Sequence, residues 1–335
     1  LAADLPPDPV ARDDLLLRIM GSPDPGQLDG IGGARPVTSK VAVVGPSAEP
    51  DRDVDYLFLQ VGVDEPTVSD RQNCGNLLAA VGQFAVERGL VAAGPQRTAV
   101  RIAMVNSGGR AVSRFATPGG RVDYAGGTAI DGVPGTAAPV ALDIADLAGS
   151  TCGALLPTGR LVDEIDGVAV TCIDNGMPVA VVRAADLGRT GYESPAELAA
   201  DSELTERVQS LRVQAGKLMG LGDVSATSVP KTTLVAAPRA GGAICTRTFM
   251  AVTPHPTIGV FGALSVLTAV LLDGAVGHEL ARLPAGDGPV RVEHPGGSLE
   301  VEVELEPGAD PPRVLRSTII RTARPLFDGT AYPRP

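Results

Sequence analysis

The chain has 335 residues and a formal net charge of −11, enough length for two domains with separate cores. The negative charge is spread along the sequence, which argues against a nucleic-acid partner and against an anionic membrane surface. Four cysteines without CxxC spacing and only three histidines argue against a structural zinc site and favour a reduced, cytoplasmic protein.

The first half of the chain mixes strand-like and helical patterns, separated by turns rich in glycine and proline. Its predicted elements are, in order, a helix at 9–20, a glycine-rich loop at 29–34, strands at 41–45 and 55–63, a helix within 73–90, a strand at 98–105 and a hairpin at 119–128.

The second half repeats this order: strands, one apolar helix, then strands again. Its predicted elements are strands at 167–174 and 177–184, a helix at 195–219, strands at 233–237 and 245–252, an apolar helix at 259–272, and strands at 290–294, 299–305 and 317–323. The apolar segment is too short to span a bilayer and is typical of a buried helix.

Cys74 lies at the start of the apolar helix predicted in the first half. The free N–H groups and the dipole at a helix N-terminus favour an anion, and the thiolate is the reactive form of cysteine. Cys74 is therefore a candidate base or nucleophile. The alternative is a buried structural cysteine, because free thiols are common in protein cores.

Lys40 follows the glycine-rich loop and directly precedes a predicted strand. The hydroxyls of Thr38 and Ser39 accompany it, which favours a site, although a lysine at a strand end is also an ordinary solvated charge. Lys231 and Arg321 are candidate carboxylate ligands, as are Arg247 and Arg324, and each is alternatively a surface cation.

Asn106 and Ser107 form a turn directly after a predicted strand and are candidate ligand contacts. Motifs of other enzyme classes are missing from the sequence: it contains no GxxxxGK[ST], no GxSxG and no HExxH. The glycine-rich loop follows a helix rather than a strand, which argues against a Rossmann dinucleotide site.

Several longer strings occur in one order and together resemble the PrpF family, most closely its branch of 4-oxalomesaconate tautomerases. They are MGSPDPGQLDGIGGARPVTSKVAVV at 20–44, QNCGN at 72–76, TCIDNGMPV at 171–179, LGDVS at 221–225 with VPK at 229–231, and RTARPLFDG at 321–329. The resemblance covers essentially the whole chain.

The resemblance implies an α+β fold of two pseudo-symmetric, diaminopimelate epimerase-like domains, each a curled, mostly antiparallel sheet around a central helix, with the active site between them. The first implied domain comprises residues 1–160 together with residues 317–335, which return to it. The second implied domain comprises residues 161–316. Family members also carry an earlier strand that ends in an RGGTSKG-like loop, so the first strand is expected to be missing from these 335 residues.

The resemblance further implies proton transfer without a cofactor or a metal, with Cys74 and Lys40 as the acid/base groups. The implied substrate contacts are Ser39, Gly75, Asn76, Asn106, Ser107, Lys231, Gly262, Ala263 and Arg321, with backbone N–H groups at the two helix starts holding carboxylates or an enolate. Epimerase relatives have a second cysteine where this chain has residues 262–265, so one thiol with one lysine is expected here.

The implied activity is keto–enol tautomerisation of 4-oxalomesaconate, a small tricarboxylate, in gallate- or protocatechuate-type aromatic breakdown. A homodimer without nucleic-acid or membrane partners is the expected form. Two alternatives stay open: an aconitate or methylaconitate isomerase of the PrpF type, and a non-catalytic tricarboxylate-binding protein.

Overall fold

A computed structural model describes residues 1–70, 74–131, 133–225, 227–284 and 288–335. The chain divides into two units, described separately below. Unit 1 comprises Leu1–Ala129, Gly135–Asp143 and Arg321–Pro335, and unit 2 comprises Ile130–Pro134 and Ile144–Ile320. The domain bounds given above remain a prediction.

Unit 1 contains helices α1 (Pro9–Met20) and α2 (Gly75–Glu87). The side chain of Asp8 accepts a hydrogen bond from Ala11 N–H at the start of α1, Pro9 occupies the first turn, and Gly21 ends the helix in the left-handed region. These signals are local in sequence, and the helix therefore has the bounds that the sequence predicts.

The strands of unit 1 form a sheet in the order β1-β2-β4-β5-β8, with β3 beside β2 and β6 paired to β7. Their bounds are β1 Lys40–Pro46, β2 Val54–Val61, β3 Val68–Ser69, β4 Arg97–Met104, β5 Gly109–Ala116, β6 Thr128–Ala129, β7 Thr136–Ala137 and β8 Pro139–Ile144. Helix α2 contacts β1, β2, β4 and β5, so this sheet curls around it.

The predicted hairpin at 119–128 is wrong. The short 3-10 helix Pro118–Gly120 is followed by irregular chain, and only Thr128 joins a strand. The side chain of Asp123 accepts from Ala125 N–H at 2.9 Å, and such a local bond favours a turn over a strand ladder.

Unit 2 has its strands in the order β17-β16-β15-β13-β12-β11-β10-β9, with β14 beside β13. Their bounds are β9 Asp163–Ile165, β10 Val168–Asp174, β11 Pro178–Arg183, β12 Lys231–Ala236, β13 Ile244–Met250, β14 Thr253–Pro254, β15 Val290–His294, β16 Gly297–Leu305 and β17 Val314–Thr322. Helix α5 (Val260–Leu271) contacts β10, β11 and β16, so this sheet also curls around one helix.

The helix predicted at 195–219 is two helices, α3 (Pro195–Ala199) and α4 (Ser202–Leu218). Asp201 causes the break, because its side chain accepts from Leu204 N–H at 3.0 Å and caps a new helix. Further 3-10 helices cover Ala2–Asp4, Pro36–Thr38, Ala184–Leu187 and His278–Leu280.

Both units contain the same sequence of pairings, which we call the shared repeat: β1-β2-β3-α2-β4-β5 in unit 1 and β12-β13-β14-α5-β15-β16 in unit 2. In each copy the first two strands are antiparallel, the short third strand pairs with the second, and the strand after the helix lies parallel to the second. The weak internal repeat of the sequence is thus a repeat of topology, and it places Lys40 and Lys231 as the first residues of equivalent strands.

Candidate active site

The two predicted acid/base residues of unit 1 are in direct contact. Lys40 Nζ donates a hydrogen bond to Cys74 Sγ at 3.6 Å. Cys74 is 9% exposed and Lys40 is half-buried, so both side chains are partly shielded from water. A thiol and an amine at this distance can exchange a proton directly.

The alternation of side chains along β1 places Lys40 on the face of the sheet that contacts the start of α2. Along β1, Lys40, Ala42 and Val44 lie opposite Gln60, Phe58 and Tyr56 of β2, on one face of the sheet. The opposite face, with Val43 and Leu59, packs under α1. Lys40 therefore shares a face with the fully buried rings of Tyr56 and Phe58, and its Nζ lies 6.0 Å from the centre of the Phe58 ring.

Cys74 is the N-cap residue of α2, with extended backbone angles (φ −128°, ψ 103°). The Cys74 carbonyl accepts from Leu78 N–H at 3.0 Å and from the hydroxyl of Tyr56 at 3.1 Å. Burial, and then the nearby Cys74, raise the pKa of Tyr56, which keeps its hydroxyl protonated as a donor. Sequence reasoning did not identify Tyr56, because strand patterning alone marks it as a core residue.

Gly75 and Asn76 occupy the first turn of α2, where N–H groups have no acceptor four residues earlier within the helix. The predicted N–H contacts to a substrate are thus placed beside the Cys74 thiol. The first two residues of the QNCGN string, Gln72 and Asn73, lie outside the described residues.

Ser39 is fully buried and holds Lys40 indirectly. Its hydroxyl donates to Gln27 Oε1 at 2.7 Å, and the same oxygen accepts from Ala34 N–H at 2.8 Å. Gln27 Nε2 in turn donates to Ser22 Oγ at 3.1 Å. Gln27 thus fixes the loop that leads into β1. Sequence reasoning missed it, although it lies inside the first string that carries the family resemblance.

Glycine is required within this loop. A Cβ at Gly30 would lie 2.2 Å from the backbone nitrogen of Gly21, and one at Gly32 would overlap the side chain of Gln27. The close approach of these segments explains the glycine-rich composition, which the sequence analysis noted without assigning it a role.

Asn106 has its side-chain amide engaged with the backbone. Its Oδ1 accepts from Phe58 N–H at 2.8 Å, and its Nδ2 donates to the carbonyls of Phe58 and Asp70 at 2.8 and 2.7 Å. This ties β2 to the segment that precedes α2. Ser107 is exposed and its hydroxyl accepts from Gly109 N–H at 3.2 Å. Substrate contact by either residue remains a prediction.

In unit 2, the predicted contacts lie at the start of α5 and β12. Gly259 is the N-cap of α5, and the N–H of Ala263 donates to its carbonyl at 2.9 Å. Ala263 is fully buried and its N–H is engaged in this helical hydrogen bond, and its substrate contact remains a prediction. Among the predicted backbone donors of this helix, Gly262 alone lies in the first turn, where N–H groups have no helical acceptor.

Lys231, the first residue of β12, is half-buried. Burial, and then the charge of Arg212, lower the pKa of Lys231. The charge of Lys231 adds to burial in lowering the pKa of His255, which places the lysine near the chain that leads into α5. His255 itself accepts from Thr257 N–H at 2.9 Å through Nδ1.

Arg321 is 9% exposed near the end of β17, and burial lowers the pKa of its guanidinium. The guanidinium of Arg247 is committed to backbone carbonyls, those of Glu193 and Thr246. Arg324 lies in the irregular chain that follows β17. All three arginines are candidate carboxylate ligands by sequence, and the family resemblance implies a substrate contact for Arg321; these roles remain predictions.

The TCIDNGMPV string has a structural role in unit 2. Asn175 is fully buried, and its Nδ2 donates to Thr268 Oγ1 at 2.9 Å and to Ser317 Oγ at 3.0 Å. Asp174 accepts from the N–H groups of Thr151 and Cys152, both at 2.8 Å. The string therefore joins β10 to α5 and β17.

The cysteines outside α2 are not arranged for reaction. Burial, and then the charge of Asp174, raise the pKa of the Cys152 thiol to about 12. Burial, and then the charge of Asp163, raise the pKa of Cys172 to about 12 as well. Burial also raises the pKa of Cys245. These thiols stay protonated near neutral pH.

Within the described parts of the chain, no group of three or more His, Cys, Asp or Glu side chains is placed to hold a metal ion. No helix formed by these residues has both the length and the apolar character needed to cross a membrane.

Comparison with known proteins supplies the family. The model of the family described as "PrpF protein" matches residues 1–334. The chain belongs to the PrpF family. A crystal structure of methylitaconate-delta-isomerase matches this PrpF-family chain with a TM-score of 0.90 and 31% identity, covering 99% of this chain and 94% of that one. This likeness confirms the predicted fold class.

Three curated relatives of this PrpF-family chain are isomerases by name. The (4E)-oxalomesaconate Delta-isomerase of Novosphingobium sp. (strain KA1) is 54% identical over 99% of this chain and 92% of that protein. The 4-oxalomesaconate tautomerase of Pseudomonas putida is 54% identical over 97% and 90%. The 2-methyl-aconitate isomerase of Shewanella oneidensis is more distant, at 34% identity over 97% and 90%.

Proposed function

We propose that this chain is an isomerase that interconverts the keto and enol forms of 4-oxalomesaconate. The contact of Lys40 Nζ with Cys74 Sγ at 3.6 Å carries the proposal, because it provides two groups that can accept and return one proton. The similarity to relatives named for oxalomesaconate, well above that to the methylaconitate isomerase, supports the choice of substrate over the aconitate-type alternative.

The substrate suits this pair. Its methylene group lies between the 4-oxo carbonyl and the alkene, and both acidify its C–H bonds. One member of the pair removes a proton, the C–H electrons shift toward the carbonyl oxygen to give a dienolate, and the other member protonates that oxygen. First-turn N–H groups of α2, at Gly75 and Asn76, stabilise the developing negative charge.

A second candidate reaction uses the same first step. If the dienolate is protonated on the distal carbon of the alkene instead of on oxygen, the double bond moves and no enol is released. The first relative, named a Delta-isomerase, supports this possibility. Proton NMR of the product distinguishes the two reactions, because the allylic shift creates a new C–H bond and the enol does not.

The first test is an ultraviolet assay of 4-oxalomesaconate conversion by the parent and by Cys74→Ser. Loss of a principal acid or base lowers the rate by about 10²–10⁴-fold, so we expect kcat/KM to fall by at least about 100-fold with an unchanged melting temperature. Cys152→Ser is the matched control and should retain full activity. Equal activity of Cys74→Ser and the parent would exclude the mechanism, and an inactive parent that binds tricarboxylates would favour a non-catalytic binding protein.

A small tricarboxylate ligand, a cytoplasmic location and a homodimer belong to this proposal as predictions. The net charge of −11 repels a trianion at long range, so the local cations Lys40, Lys231 and Arg321 are proposed to offset its carboxylates.

A further inference from the structure

Arg212 of α4 is a fully buried cation whose hydrogen bonds go to neutral oxygens. Its Nη1 donates to the carbonyls of Val224 at 2.8 Å and Thr227 at 2.9 Å, and its Nη2 donates to the carbonyl of Ser225 at 3.2 Å. Its Nε donates to Gln209 Oε1 at 3.0 Å. Among the described residues no carboxylate is bonded to Arg212, and a buried charge that is bound by dipoles alone is costly. We therefore infer that the arrangement serves more than packing.

The carbonyls that Arg212 binds belong to the segment that leads into β12. Its Nη1 also reaches the carbonyl of Val229, at 3.4 Å, two residues before Lys231. The backbone of α4 approaches the same segment closely, because a Cβ at Gly216 would lie 2.6 Å from a methyl carbon of Val224. Arg212 and Gly216 thus fix the path of the chain immediately before Lys231.

Lys231 is left with uncompensated charge. Within the described residues it forms no ion pair, and the charged neighbour that perturbs it is Arg212, another cation. Lys231 and Arg212 have no carboxylate partner in the part of the chain that the structure describes, and together they produce a local positive potential in a chain that is otherwise acidic. Such a potential suits an anion supplied from outside the protein.

The shared repeat gives a second, independent argument. Lys231 begins β12 as Lys40 begins β1. Each lysine follows a loop that is held by one buried polar side chain, Gln27 in unit 1 and Arg212 in unit 2. The helix of each copy differs at its N-cap residue, which is Cys74 in α2 of unit 1 and Gly259 in α5 of unit 2. The second copy has therefore kept the positioned lysine and has no thiol beside it.

We propose that Arg212 is the positioning residue that holds Lys231 for the carboxylate contact assigned to this lysine under the proposed function. The carboxylate contact itself rests on that proposed function, whereas the positioning of Lys231 by Arg212 goes beyond it. Arg212 acts through its hydrogen bonds to the carbonyls of the chain that precedes β12.

The test measures binding and turnover separately. Binding of tricarballylate, a saturated tricarboxylate that has no acidic methylene to isomerise, is measured by titration calorimetry. Turnover of 4-oxalomesaconate gives KM and kcat. The variants are Lys231→Met, Arg212→Lys, their double variant and Gly216→Ala, and Arg207→Lys on the same helix is the matched control.

We expect Lys231→Met to weaken tricarballylate binding at least about tenfold, because a hydrogen bond to a charged group is lost. The same variant should raise KM while kcat changes by less than about threefold, which is the pattern expected when an interaction made equally in the ground state and the transition state is removed. Arg212→Lys should do the same, and the double variant should be no worse than Lys231→Met alone. Gly216→Ala should weaken binding in the same direction, and Arg207→Lys should match the parent.

The positioning role would be overturned if the losses of tricarballylate affinity in Lys231→Met and Arg212→Lys added up in the double variant. It would also be overturned if Arg212→Lys had the affinity and KM of the parent. If Arg212→Lys does not fold, Gly216→Ala decides the question by the same comparison. A parent that fails to bind tricarballylate would overturn the carboxylate site. Tricarballylate binding that depends on both Lys231 and Arg212, in a parent that does not convert 4-oxalomesaconate, would support this proposal while refuting the proposed reaction.

Discussion

At the scale of single residues, Lys40 and Cys74 form one chemical unit. The proton between them can reside on nitrogen or on sulfur, and the total charge of the pair is the same in both states. The hydrogen bond from Tyr56 to the Cys74 carbonyl and the packing of Lys40 against Phe58 hold the two groups in place before any substrate arrives.

This interdependence predicts non-additive kinetics. Lys40→Met should lower kcat/KM about as much as Cys74→Ser, by roughly 10²–10⁴-fold, and the double variant should be little worse than either single variant. Steady-state kinetics of the four proteins check this. Losses that multiply in the double variant would mean that the two residues act in separate steps.

At the scale of elements, the loop before β1 determines where Lys40 lies. Its organisation depends on Gln27, which is 2% exposed and bonds to residues five, seven and twelve positions away. The loop contains no strand and little helix, so its order comes from these side-chain bonds and from close glycine contacts.

Gln27→Ala should therefore impair stability and activity together. It leaves the buried hydroxyl of Ser39 and the N–H of Ala34 without their acceptor, at a cost of about 1–3 kcal/mol for such groups. Urea unfolding and the ultraviolet assay measure the two effects. Gln96→Ala, at an exposed glutamine, is the control, and equal behaviour of the two variants would contradict the role assigned to Gln27.

Some elements and site residues could be predicted from the sequence, and others could not. The helix at 9–20 was predictable because Asp8, Pro9 and Gly21 mark its ends locally, and Cys74 was found because an apolar helical run follows it. The break before α4 was missed because the helical pattern continues through Asp201. Gln27, Tyr56 and Arg212 were missed because their partners are set by tertiary contacts, which periodicity does not encode.

At the scale of the whole molecule, the stability of the fold should depend on pH through two histidines, of which His255 is half-buried and His294 is buried. Burial, and then the charge of Lys231, lower the pKa of His255, and burial likewise lowers the pKa of His294. In the unfolded chain each ring gains a proton as the pH falls through about 6.5. Between that value and the lower folded pKa, the unfolded state binds more protons, so the free energy of unfolding decreases on acidification.

Urea unfolding at pH 7.5 and 5.5 tests this dependence. The double variant His255→Gln/His294→Gln should lose less stability than the parent between the two pH values. His278→Gln, at a half-exposed ring, should follow the parent. An identical pH dependence of the double variant and the parent would show that other groups control acid stability.

The short distance between Lys40 Nζ and Cys74 Sγ also affects isotope labelling. A hydrogen taken from the substrate by one group can return through the other without entering the solvent. Because an ammonium group carries three equivalent hydrogens, such a hydrogen is diluted by two solvent-derived ones. When the allylic shift is run in heavy water, the new C–H bond should therefore retain at most about one third of the original protium. Complete replacement by deuterium would mean that the pair exchanges with water faster than it returns the hydrogen.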